Sequence, residues 1–170
     1  MVSSSPCFRY VIVGPSNLQT LLSTIPAYWA PAMQQFKDRV GDPTTDEGKK
    51  LLAERSPLTH VDKIKRPLLI GQGAHDPRVK QAESDQIVKA MQERKIPVTY
   101  VLFPDEGHGF ARPPNNLAFF AIAEGFLAHY LGGRYEAIGD AFEGSSVTVP
   151  TGADDVPGVK DTLIKRDEPK

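Results

Sequence analysis

The stretch "PLLIGQGAHDPRVKQ", residues 67–81, changes character halfway: an apolar run ends at Gly73 and opens into a loop built around Asp76 and Pro77. Further along, the design returns. "VTYVLF", residues 98–103, runs into "PDEGHGF", residues 104–110, where His108 stands between Gly107 and Gly109. Short apolar runs rich in β-branched residues and bounded by turn residues read as buried strands. Between them, "KQAESDQIVKAMQERK", residues 80–95, sets Ala82, Ile87, Val88 and Met91 near one helical face and charges elsewhere. Strand, helix and strand at this spacing describe a βα unit of a parallel sheet.

Outward from that unit the pattern holds. "CFRYVIVG", residues 7–14, reads as another buried strand, stopped by Gly14-Pro15. "SNLQTLLSTI", residues 16–25, predicts a short helix capped by Ser16, and an aromatic loop, "PAYWAP", leads to a further helical turn. Thr44 with Glu47 three residues on marks a helix start, and that helix ends before Pro57. Pro113-Pro114 and Gly132-Gly133 bracket a long apolar helix. The fold class is therefore α/β, with three parallel strands and flanking helices over residues 1–133. From Arg134 the chain turns polar and rich in Gly, Ser and Asp. Residues 134–170 are expected to form an extended tail, its last dozen residues disordered.

Composition narrows the function. Twenty basic residues against twenty-one acidic ones give no surplus of charge for nucleic acid or an anionic membrane. No apolar run approaches the roughly 20 residues that span a bilayer. The lone Cys7 precludes an intrachain disulfide and leaves the compartment open. No basic segment followed by a long apolar core opens the chain, so no signal peptide is expected on it.

In open α/β sheets, ligands bind beyond the carboxyl ends of the strands. Asp76 and His108 both lie just past such ends, on consecutive strands. If the strands are neighbours, the carboxylate can accept a hydrogen bond from the imidazole, fix its tautomer and stabilise its protonated form. Two other arrangements are weaker. His75, Asp76, Asp105, Glu106 and His108 could suggest a metal site, but an Asp–His pair accounts for two of them more simply, leaving Asp105 and Glu106 as solvated loop charges. His60 and the Lys63–Lys65–Arg66 turn read as surface groups, and His129 as a helix-end residue favoured by the dipole. Tyr28 and Trp29 either wall an apolar pocket or pack a loop.

The order Asp then His suits α/β-hydrolases, whose triads run Ser, Asp, His. "GQGAHDPRVKQAESDQIVKAM" followed by "VTYVLFPDEGHGFARPPNNLAFF" resembles the carboxyl end of the catalytic domain in the prolyl oligopeptidase family of serine peptidases. "VGPSNLQTLLSTIPAYWAP", "SPLTHVDKIKRPLLI" and "FEGSSVTVP" extend the likeness over roughly residues 8–158. The resemblance implies that Asp76 is the triad aspartate, His108 the triad histidine and Arg78 a substrate-holding arginine. It implies a peptide substrate and neither a metal nor an organic cofactor.

Much of the family pattern is missing: the nucleophile, the upstream strands, the oxyanion hole and the β-propeller. No Gly-x-Ser-x-Gly elbow occurs in the chain. Ser3, Ser4 and Ser5 precede a strand instead of following one, Ser16 reads as a cap, and Cys7 reads as a buried apolar residue. The expectation is thus the carboxyl-terminal part of an α/β-hydrolase peptidase domain, carrying Asp and His without the nucleophile. It would partner a missing amino-terminal half, or a second copy through an exposed strand edge. Two alternatives are a non-catalytic piece that docks on a separately encoded half, and an esterase or lipase of the same fold.

Overall fold

The computed structural model describes residues 9–168. Four strands form one sheet in the order β1-β2-β3-β4: β1 (Arg9–Ile12), β2 (Leu68–Gly73), β3 (Val98–Phe103) and β4 (Thr148–Thr151). The first three are parallel, in register from Leu68 opposite Val98 to Gly73 opposite Phe103. Six α-helices accompany them: α1 (Leu18–Ser23), α2 (Met33–Arg39), α3 (Asp46–Arg55), α4 (Gln81–Glu93), α5 (Pro113–Leu131) and α6 (Val159–Asp167).

Two helices cover the two faces, which explains why β2 and β3 are apolar almost without alternation. On one face α5 packs Phe119, Ile122 and Phe126 against Leu69, Val101 and Phe103. On the other, α4 sets Ile87, Val88 and Met91 against Leu68, Ile70, Val98 and Tyr100. Ala82, expected on that buried stripe, is exposed. Gly71 sits where α5 comes closest; a Cβ there would meet Phe119 at 2.6 Å. Helix starts differ slightly from expectation. Asn17 caps α1, accepting from the Gln19 N–H, whereas Ser16 is buried and donates to the Glu83 carbonyl at 2.6 Å. Thr45, one residue past the predicted Thr44, caps α3 through the Gly48 N–H.

The tail is the main correction. Instead of running extended, it returns to the sheet as β4, which pairs antiparallel with β3, and the sheet is mixed, not wholly parallel. Phe142, Val147, Val156 and Val159 enter the α5-side core, and α6 occupies most of the segment expected to be disordered. Each such buried side chain stabilises the fold by about 1.5–3 kcal/mol. The polar average hid these anchors, which are single residues spaced along hydrophilic chain. Pro150 would argue against a central strand, but at a sheet edge its missing N–H costs no ladder bond.

At the opposite edge, β1 has no further strand beside it among the described residues. Next to it lies a cavity of about 540 Å³ whose walls include Val11, Ile64, Leu68, Ile70 and Ile87, with Lys63, Lys65 and Arg66 also lining it.

Candidate active site

The loops leaving β2 and β3 are stitched together from their first residues. Ala74 N–H donates to the Phe103 carbonyl at 3.0 Å, and His75 N–H to the Glu106 carbonyl at 2.9 Å. This approach requires Gly73: a Cβ there would fall 2.2 Å from the Gly107 carbonyl oxygen. The glycine therefore decides that the two loops meet.

The first loop is wound around its own aspartate. Asp76 Oδ1 accepts from the Arg78 N–H at 2.8 Å and the Val79 N–H at 2.9 Å. Such side-chain-to-backbone bonds are what makes aspartate a turn former. From below, the buried Gln72 donates to the carbonyls of Gly73 (2.9 Å) and Val79 (3.1 Å), while its own carbonyl accepts from Ser84 Oγ at 2.8 Å. The Asp76 side chain is fully buried.

The second loop presents the histidine. Gly107 and Gly109 form a bridge across it, and Gly109 has φ +105°, a conformation that favours glycine. Phe110 anchors the far side, its ring 4.5 Å from that of Phe103 and 5.0 Å from that of Phe119.

His108 Nδ1 lies 2.8 Å from Asp76 Oδ2. An ionised carboxylate can only accept, so Nδ1 carries the proton and Nε2 is left as the basic nitrogen. The imidazole is 31% exposed against 0% for the carboxylate, so the pair has a sealed end and an open end. Arg78, expected near the substrate, is exposed and lies over the Trp29 ring at 5.9 Å. Trp29 in turn stacks on Phe36 with centroids 5.7 Å apart. Tyr28 is 62% exposed.

Two residues carry more than their sequence reading gave them. Glu106 is not a solvated loop charge: it is 3% exposed. Burial alone would raise its pKa, yet bonds from Asn115, Arg112 and Ala111 outweigh that and hold it below the usual carboxylate value. Gln72 had a visible signal, an amide in the middle of an otherwise apolar strand. Of the remaining candidates, His75 is exposed on the first loop, and His60 Nε2 lies 2.6 Å from the Glu54 carbonyl. Ser3, Ser4, Ser5 and Cys7 fall outside the described residues. No helix among those described is long and apolar enough to cross a membrane.

Comparison with known proteins agrees with this architecture. Residues 23–134 match the prolyl oligopeptidase family, and the chain belongs to it. The chain is 72% identical over 152 residues to dipeptidyl aminopeptidase BIII of Pseudoxanthomonas mexicana, covering 89% of this chain and 22% of that protein. It is 49% identical over 124 residues to dipeptidyl peptidase family member 6 of Caenorhabditis elegans, covering 72% of this chain and 17% of the other. Among solved structures, a puromycin-hydrolyzing peptidase from Mycobacterium tuberculosis superposes with a TM-score of 0.66 at 25% identity, over 80% of this chain and 20% of that one. An acylaminoacyl peptidase superposes at 0.62 with 20% identity, over 79% of this chain and 22% of the other. The chain thus spans about a fifth of the length of the curated relatives it matches.

Proposed function

We propose that this chain supplies the acid–base half of a serine peptidase site acting on short peptides. His108 Nε2 takes the proton from a serine hydroxyl as its oxygen attacks the peptide carbonyl, then returns that proton to the departing amine. Asp76 holds the imidazole in the required tautomer and stabilises the imidazolium. Arg78, backed by Trp29, positions the peptide. The nucleophile comes from a Gly-x-Ser-x-Gly elbow that is not among these 170 residues. The apolar cavity beside β1 is not lined by Asp76, Arg78 or His108, and is read as a packing seat for the elbow-bearing segment or a second copy, not as a substrate site. The similarity to dipeptidyl aminopeptidase BIII favours release of dipeptides.

The observation that carries this reading is the 2.8 Å contact between a sealed carboxylate and an accessible imidazole. The test is a fluorophosphonate probe applied to the chain alone and together with an elbow-bearing amino-terminal half. The chain alone is expected to remain unlabelled, because losing the serine removes on the order of 10⁶-fold of a triad's rate. The combination is expected to label on the elbow serine and to hydrolyse a dipeptidyl anilide. Rapid stoichiometric labelling of Ser16 or any other serine of this chain would overturn the reading.

A further inference from the structure

Glu106 closes a ring around the histidine. Its Oε2 accepts from the Ala111 N–H at 3.0 Å, and its Oε1 from the Arg112 N–H at 2.9 Å and from Asn115 Nδ2 at 2.8 Å. The carboxylate therefore bridges the two sides of the turn Gly107–Phe110, which carries His108 in its middle. The same residue's carbonyl takes the His75 N–H, so Glu106 touches the aspartate loop as well. The neighbouring cation does not compete, since the Arg112 guanidinium is paired with Asp105. Asn115 is itself fully buried, and its carbonyl accepts from Ser145 Oγ and from the Ser146 N–H.

We infer that Glu106 is a positioning residue: its carboxylate, held by Asn115, clamps the glycine-flanked turn so that the His108 ring stays aimed at Asp76. A turn containing two glycines has many accessible conformations, and such freedom would blur the aim of the imidazole. A neutral acceptor could close the loop, but charge-assisted bonds are shorter and stronger and fix direction better. Because the carboxylate bonds to Ala111, Arg112 and Asn115 and to neither Asp76 nor the imidazole, its effect reaches the chemistry through the orientation of His108. This inference rests on the proposed Asp76–His108 pair.

The experiment is nuclear magnetic resonance on the whole chain, reading the His108 Nδ1 proton. A proton shared with Asp76 should appear far downfield in the wild type and vanish in Asp76→Ala. In Glu106→Gln the amide's NH₂ must face at least one of the three donors. Exchange of that proton with solvent should then accelerate by at least about tenfold, with the Ala111 and Arg112 amides accelerating alongside and the β3 amides unchanged. Should Glu106→Gln fail to fold, Asn115→Ala leaves the charge and both backbone bonds in place and should give a smaller acceleration in the same proton. Unchanged exchange of the His108 proton in a folded variant would overturn the clamp while leaving the pair standing. Absence of the downfield proton in the wild type would instead remove the pair, and the clamp with it.

Discussion

Asp76 and Glu106 are built alike. Each is a buried carboxylate in the loop after a parallel strand, and each accepts two successive backbone amides: Arg78 and Val79 for one, Ala111 and Arg112 for the other. They differ in the third partner. Asp76 gives its remaining oxygen to the imidazole, whereas Glu106 takes a side-chain amide and never reaches the ring. The amide pairs tie each carboxylate into its loop, and in the proposed roles the third bond separates a carboxylate that acts on the histidine from one that acts on its support. Burial alone does not distinguish the two roles.

The comparison breaks most visibly at Asp76. In an assembly that has the elbow serine, Asp76→Asn should lower kcat by about 10⁴-fold, since the wrong tautomer of His108 is then favoured. A loss no larger than that of a Glu106 variant would mean that the two carboxylates are not differentiated. Gly73→Ala attacks both loops at once: the new methyl meets the Gly107 and Glu106 carbonyls, and the expected cost is about 2–3 kcal/mol in urea unfolding. A melt indistinguishable from the wild type would show that the loops can meet without that glycine.

Glu106→Gln should be milder. Small displacement of a catalytic group can cost up to about 100-fold, and the loss should fall on kcat, with KM little changed. The smallest effect is one of pH. The folded pKa of Glu106 lies below its ordinary value near 4.5, so the ionised form binds its donors better than the protonated one. Its contribution to stability is fully present above the unfolded pKa and fades as pH falls through the lower folded value. Thermal melts between about pH 6 and 3 should therefore show a shallower acid-side loss in Glu106→Gln than in the wild type. Parallel curves would show that Glu106 carries no such linkage.

Much of this was legible in the residues. The parallel strands announced themselves because both faces are covered, leaving apolar runs with few polar interruptions, Gln72 and Thr99 among them. Asp76 and His108 stood out because each lies in the loop where such a run ends, in the order Asp then His, and the structure brings them together. Glu106 was misread because two of its three donors, the amides of Ala111 and Arg112, leave no mark in sequence; any residue but proline would offer them. The tail was misread for a related reason. Phe142, Val147 and Val159 are isolated among polar neighbours, and their burial depends on the surface that α5 and β3 present to them. A local pattern cannot report a partner so distant along the chain.

The return of the tail as β4 has a consequence for how the protein is made. β3, which delivers the His108 loop, keeps a bare outer edge until Thr148–Thr151 arrives. Asn115, meanwhile, waits for Ser145 and Ser146. At about 5–20 residues per second, a ribosome takes several seconds to pass from His108 to α6. Through that interval the nascent chain carries its apolar strands with an unpaired flank, the condition under which strands recruit other chains. A nonsense codon just after α5 would leave Asp76, His108 and Glu106 all encoded, and its product should be lost to aggregation and proteolysis before chemistry is at issue.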